Sequence, residues 1–405
     1  MTHAPGAGIF HPMSYQRQIV ADLAGCVRKG PPLLQVVAGP RQVGKSTAAA
    51  NLQRLLGWPS VFEAADHSPP AGPEWIETHW TRARALAGKH KLLILDEVQK
   101  VRGWSETVKR LWDEDRRKGN GPAVLLLGSS ALLLQRGLSE SLAGRFLLHR
   151  CMHWSFSECA AAFGWDLDRY LYFGGYPGAA ALAGDEALWA RYITDSLIET
   201  AIARDVLQMQ TVNKPALLRE LFGVAAAHPA QVFSYNKMLG QLTDAGNTTT
   251  LAHYLSLLET AFLLSGLPLY SPGHARQRAA SPKLVVWNNA LVNAPSRRGF
   301  RPARADTAWW GRLVENAVGA SLLNGLPRET FSLAYWRQGD DEVDFVVSAG
   351  RKVWALEVKS GRPGPRRGME AFRARFPAAK ALIIGSGGIP LEEFFSSTPD
   401  RWFPG

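Results

Sequence analysis

Residues 33–57 read LLQVVAGPRQVGKSTAAANLQRLLG. An apolar run, Leu33 to Val37, enters a glycine-rich turn, and the turn enters a stretch of good helix formers. The turn fits G-x-x-x-x-G-K-[ST] with Gly39, Gly44, Lys45 and Ser46, and Thr47 follows. Glycines let the backbone curl until its N–H groups point at phosphate oxygens, and the N-terminus of the next helix adds positive potential. In such a loop the lysine, here Lys45, reaches the β- and γ-phosphates, and the serine, here Ser46, offers its hydroxyl to Mg²⁺. A chance glycine-rich turn would not need the strand before it and the helix after it. The stretch therefore predicts an α/β nucleotide-binding core that takes ATP and Mg²⁺.

Two further apolar runs belong with it. KLLILDEVQK (91–100) predicts a buried strand with Leu92 to Leu95 beside the first strand and Asp96 at its C-terminal end. There Asp96 holds magnesium through water, and Glu97 orients or deprotonates the attacking water. The plain alternative is a strand that ends in an acidic turn. AVLLLGSS (123–130) places Ser129 at a strand tip, where a polar group senses the γ-phosphate. SESLAGR (139–145) then offers Arg145 as a finger reaching the ATP of a neighbouring subunit, or as an ordinary surface ion-pair partner.

The phosphate loop, LDEVQKVRGW (95–104), LLLGSSALLL (125–134), SLAGR (141–145) and YLYFGGYPGA (170–179) together resemble a large family of prokaryotic AAA-type (AAA+) ATPases. Members of that family carry a C-terminal domain of unknown function similar to the restriction-endonuclease fold. The likeness runs from about residue 15 to 395. It implies an AAA+ core (1–150), a helical lid (151–207), a winged-helix-like middle module (208–305) and a nuclease-like domain (306–405).

The residues of the later parts agree in outline. ALWARYITDSLIETAIARDVL (187–207) has apolar positions at helical spacing, after the turn GGYPG (174–178). VFSYNKMLGQLTDAGNTTTLAHYLSLLETAFLLSG (232–266) predicts two helices joined by a turn, with Asn247 or a following threonine capping the second. No Asp or Glu occurs between Glu259 and Asp306, whereas Arg276, Arg278, Lys283, Arg297, Arg298, Arg301 and Arg304 do. That stretch reads as a phosphate-binding surface or as a solvated basic loop.

EVDFVVSAGRKVWALEVK (342–359) predicts a hairpin turning at SAGRK. Alternation puts Val343, Phe345, Val347, Trp354, Leu356 and Val358 on an apolar face, and Glu342, Asp344, Glu357 and Lys359 on the other. Two carboxylates and a lysine suit metal-dependent phosphodiester cleavage: Asp344 and Glu357 hold the ion, and Lys359 positions water or stabilises developing charge. Glu315, in a helical stretch upstream, is a further candidate ligand. The set is similar to the PD-(D/E)-x-K nuclease pattern, except that Val343 stands where that pattern has proline. Such folds also persist without cleavage, so the residues leave cutting open.

Composition sets the frame. The chain has 405 residues, 46% apolar and 20% charged, an ordinary globular balance with room for several cores. Lys and Arg exceed Asp and Glu by 46 to 35, a charge of +11 that favours a polyanion, DNA first. Three cysteines without a CxxC argue against a disulfide framework or zinc site and for a reducing cytoplasm. No apolar run approaches the ~18 residues of a membrane span, and no signal-peptide pattern opens the chain, so no membrane partner is expected. A finger in trans requires subunits to meet, so a homo-oligomer is expected, a hexameric ring among its forms. The functional expectation is a DNA-remodelling or translocating ATPase. The alternative is a switch-like ATPase that signals through protein partners with an inactive nuclease fold.

Overall fold

The computed structural model describes residues 15–30, 32–66, 70–128, 138, 141–207, 212, 214–243, 247–271, 280–361 and 367–404. The chain divides between Met152 and His153 into two compact units.

The first unit is built on a five-stranded sheet: β1 Leu34–Ala38, β2 Ser60–Ala64, β3 Leu92–Asp96, β4 Ala123–Gly128 and β5 Phe146–Arg150. The order is β2-β3-β4-β1-β5 and every pairing is parallel. A parallel sheet covered on both faces needs apolar residues at successive positions, which is why LLILD and VLLLG read as unbroken runs. Alternate residues serve opposite cores. Val36, Leu93, Leu95 and Leu126 pack with α3 (Pro73–Ala85) and α4 (Trp104–Lys118) through Ile76, Trp80, Trp104, Val108 and Leu111. Val37, Leu92, Ile94, Leu125 and Leu127 pack with α1 (Gln18–Lys29) and α2 (Lys45–Leu56) through Val20, Leu23, Ala48 and Leu52. The expected neighbourhood of β1 and β3 is corrected here: β4 lies between them, with Gln35 opposite Leu125 and Leu93 opposite Val124. A strand apolar on both faces fits equally well against any neighbour, so its composition does not encode its partner.

The second unit begins with helices α5 (Phe156–Phe163) and α6 (Leu167–Phe173), then α7 (Glu186–Arg191), which continues in wider π turns. Ser155 and Glu158 form a reciprocal capping box on α5. Helices α8 (Pro215–Ala227), α9 (Tyr235–Leu239) and α10 (Thr248–Thr260) follow, then an antiparallel hairpin of β6 (Leu264–Leu267) and β7 (Lys283–Val286). Val232, between α8 and α9, bridges to Lys283. Of the caps the sequence offers, Asn247 or a following threonine, Asn247 caps α10, its side chain accepting from the Thr250 N–H at 2.9 Å. After α11 (Ala290–Ser296) and a short helix at Phe300–Ala305 comes α12 (Thr307–Gly325), capped by Asp306. Strands β8 (Ser332–Gln338), β9 (Asp341–Ala349) and β10 (Lys352–Lys359), helix α13 (Arg367–Arg375) and β11 (Lys380–Gly385) complete a sheet of order β11-β10-β9-β8. It is antiparallel except for the β10–β11 pair.

The expected lid, middle and C-terminal parts share this second unit, and buried asparagines join them. Asn289 donates to the Leu171 and Leu313 carbonyls at 2.7 and 2.9 Å, and Asn293 donates to the Tyr172 carbonyl at 2.8 Å. Asn288 Oδ1 accepts from the Gly175 N–H at 3.2 Å. The GGYPG turn is shaped by this contact: Gly174 has φ +67°, and a Cβ there would fall 1.9 Å from Asn288 Oδ1. No helix among the described residues is long and apolar enough to cross a membrane.

Candidate functional site

The nucleotide loop joins β1 to α2. Gly44 turns the chain in the left-handed region, φ 91°, which favours glycine, and α2 begins at Lys45. Lys45 is buried, and its Nζ donates to the Gly39 and Pro40 carbonyls at 2.9 and 2.6 Å, inside the curl of its own loop. Ser46 and Thr47 are exposed in the first turn of α2. Arg17 braces the loop, donating to the Val43 and Met152 carbonyls at 3.2 and 3.1 Å.

Asp96 ends β3 facing this turn. Ser46 Oγ donates to Asp96 Oδ2 at 2.5 Å, so the hydroxyl and carboxylate that the sequence assigns to one Mg²⁺ are adjacent. An oxygen-only pair of this kind suits a hard cation. Burial raises the Asp96 pKa; the Ser46 hydrogen bond opposes the rise and the Glu97 charge reinforces it. Glu97 stands at φ 52°, and its Oε2 accepts from Gln99 Nε2 at 2.7 Å with Lys100 Nζ at 3.5 Å. The candidate base is thus held beside Asp96 by its own turn. Ser129 lies outside the described residues.

Arg145 is engaged within the first unit. Its Nε and Nη2 donate to the two oxygens of Asp113 on α4 at 2.9 and 3.2 Å. This bidentate contact lowers the Asp113 pKa.

The acidic residues of the second unit gather differently from the expected alternation. A bulge between β8 and β9 pairs Ala334 with Val346 but Trp336 with Val343. Val343 and Val346 consequently share the core under α13, with Ala355, Met369 and Phe372. The strict alternation of Val343 with Phe345 and Val347 is corrected on this point. Carboxylate oxygens of Glu315 (α12), Glu342 and Asp344 (β9) come within 4.8 Å of one another. Into this cluster projects Lys283 from β7, fully buried, with Nζ 2.6 Å from Glu315, 3.2 Å from Glu342 and 3.7 Å from Asp344. Asp344 Oδ2 also accepts from the Val358 N–H at 2.7 Å. Burial alone would depress the Lys283 pKa, but the carboxylates outweigh it and hold it above the ordinary lysine value. Burial pushes the Glu315 carboxyl up to about 7, with Lys283 opposing and Asp344 reinforcing.

Glu357 and Lys359 sit together on β10, 2.6 Å apart. Burial, then the Asp344 charge, raises the Glu357 pKa. The sequence places Lys283 in a phosphate-binding surface or a solvated basic loop, and the structure corrects both readings: it is an interior counterion. The available signal was its place at the head of KLVVW, an otherwise apolar strand. Of its basic neighbours, Arg298 pairs with Asp306 and Arg304 with Asp168, each at 2.7 Å. Arg297 and Arg301 are exposed, and Arg276 and Arg278 lie outside the described residues.

Comparison with known proteins fits these parts. Residues 32–160 match an AAA domain family. Residues 164–300 match the domain of unknown function DUF8612, and 310–392 match the domain of unknown function DUF4143. With its phosphate loop, parallel sheet and Ser46–Asp96 contact, the first unit is an AAA-type ATPase domain. Uncharacterized protein MJ1544 of Methanocaldococcus jannaschii is 23% identical over 285 residues, a match covering 65% of this chain and 59% of that protein. Among solved structures, the Walker-type ATPase PABY2304 of Pyrococcus abyssi is similar over 70% of this chain and 96% of its own, with 14% identity and a TM-score of 0.46. The Thermotoga maritima RuvB Holliday junction branch migration motor is similar over 64% and 94%, with 12% identity and a TM-score of 0.35.

Proposed function

We propose that this chain is an ATP-hydrolysing, DNA-binding protein that uses nucleotide turnover to remodel or translocate DNA. The observation that carries the DNA half is the succession α8, Val232 bridge, α9, capped α10 and β6–β7 hairpin, on the same chain as a complete phosphate loop. That succession resembles a winged helix, in which a helix and the hairpin beyond it grip duplex DNA. A net charge of +11 supports the same partner. The order α12, β8, β9, β10, α13, β11, with one parallel pairing, supports a restriction-endonuclease-like reading of the last part.

In this reading Gly39, Gly44, Lys45 and Thr47 cradle the phosphates, and Ser46 and Asp96 hold Mg²⁺. Bound there, the ion would supply charge neutralisation for the phosphates. Glu97 takes the proton of the attacking water. Arg145, released from Asp113, reaches the nucleotide of a neighbouring subunit in a homo-oligomer. Phosphate release measured with linear duplex and with four-way-junction DNA tests the DNA half. Turnover that rises with DNA supports it, and turnover indifferent to every DNA removes it. Arg145→Ala is expected to lower turnover of the assembled oligomer by about 10³-fold while sparing nucleotide binding. An Arg145→Ala oligomer that turns over normally discards the trans finger.

A second reading, a switch-like ATPase that acts on protein partners through an inactive nuclease fold, is favoured by one observation: both lysines near the nuclease-like carboxylates are already paired with them. Under that reading ATP turnover does not respond to DNA.

A further inference from the structure

We propose that Lys283 is the resident cation of the Glu315–Glu342–Asp344 cluster, and that this site works without a divalent metal. The nuclease-like pattern implies a metal held by Asp344 and Glu357 with Glu315, and the surroundings of Asp344 and Glu315 do not fit one. Three carboxylates direct oxygens at one small volume, and an ammonium already lies 2.6, 3.2 and 3.7 Å from them. A divalent ion ligated at 2.0–2.6 Å by the same oxygens would overlap Nζ and be repelled by it. The second oxygen of Asp344 is also engaged, by the Val358 N–H. Nor is Lys283 free to leave. Its side chain has no exposure, its ammonium lies 5.1 Å from the Phe345 ring centroid, and its backbone pairs with Leu267 and bridges to Val232. Swinging it out would strip the ammonium of all three carboxylates.

The lysine that the nuclease-like pattern reserves for positioning water, Lys359, is likewise spent on Glu357 at 2.6 Å. Glu357 Oε2 is buried without a hydrogen-bond partner among the described residues, so Glu357→Gln is the variant that checks whether this oxygen takes metal. The cluster then acts as a joint rather than a scissile centre: Lys283 fastens the β6–β7 hairpin to α12 through Glu315 and to β9 through Glu342 and Asp344. This inference stands apart from the DNA reading, since an uncut polyanion and a protein partner are equally compatible with it.

The test is Mn²⁺ uptake by the full nucleotide-free chain, followed by the electron paramagnetic resonance signal of unbound Mn²⁺. Wild type, Glu342→Gln and Glu357→Gln are expected to give superimposable titrations, because neither of these carboxylates holds the ion. Lys283→Met is expected to gain a Mn²⁺ site that the added Glu342→Gln weakens by about tenfold or more. Mn²⁺ is also expected to raise the melting temperature of Lys283→Met and not that of wild type. Uptake by wild type that either carboxylate variant reduces overturns the proposal. So does a folded Lys283→Met protein that takes up no Mn²⁺. If Lys283→Met is insoluble, the wild-type and carboxylate titrations decide alone.

Discussion

Glu97→Gln is expected to keep MgATP bound and to lower turnover by about 10²–10⁴-fold, the span that a positioned general base contributes. The amide is nearly isosteric with the carboxylate, so packing around β3 survives. It still accepts through its oxygen, so the contact from Gln99 Nε2, 2.7 Å in the native chain, has a substitute. What disappears is the capacity to take a proton. The effect should therefore fall on kcat, with nucleotide affinity close to wild type. Lys45→Ala, in contrast, removes the ammonium that follows the phosphate loop and should lose affinity as well. Phosphate release and binding of a fluorescent ATP analogue, measured on both variants, separate the two roles. A Glu97→Gln enzyme with wild-type turnover would show that another group activates the water.

The ATP site was legible because its chemistry is local. Gly39, Gly44, Lys45 and Ser46 fall within eight consecutive positions, and Asp96 and Glu97 end a run of apolar residues that can only be a buried strand. The order of the strands was not legible, since β3 and β4 are apolar on both faces and either would satisfy β1. The cap on α10 was readable from Asn247 and its spacing. The carboxylate cluster was half readable. Period-two alternation brought Glu342 and Asp344 to one side, but the bulge opposite Tyr335 broke that period, and no residue type announces a bulge. Lys283 was misread for a different reason. Its partner Glu342 is 59 residues away, and a lysine in a stretch without acids looks solvated until the tertiary fold supplies the acids.

The position of that cluster depends on the residue next to Glu315, and Asn316→Leu is expected to show it. Asn316 is fully buried on α12. Its Oδ1 accepts from the Val286 N–H and its Nδ2 donates to the Val286 carbonyl, both at 2.9 Å, so it pairs with β7 much as a neighbouring strand would. The same Nδ2 donates to Asn289 Oδ1 at 2.9 Å, and Asn289 in turn holds the Leu171 and Leu313 carbonyls. Leucine matches the volume but leaves three buried polar atoms without these partners, at about 1–3 kcal/mol each. Its own burial returns about 1.5–3 kcal/mol. The mid-range net loss is about 4 kcal/mol, or a fall of roughly 8–16 °C in the melting temperature of a unit this size. Asn324→Ala is the control: that half-buried side chain donates to the Trp287 and Ala320 carbonyls and accepts from the His153 N–H at 3.3 Å, and its loss should cost about 1–2 kcal/mol. Urea titration followed by tryptophan fluorescence ranks the two. Equal midpoints would mean that β7 holds its place against α12 by apolar packing alone. A large gap would mean that the Asn316 clamp sets the register of α12 on β7, and through it the 2.6 Å contact between Glu315 and Lys283.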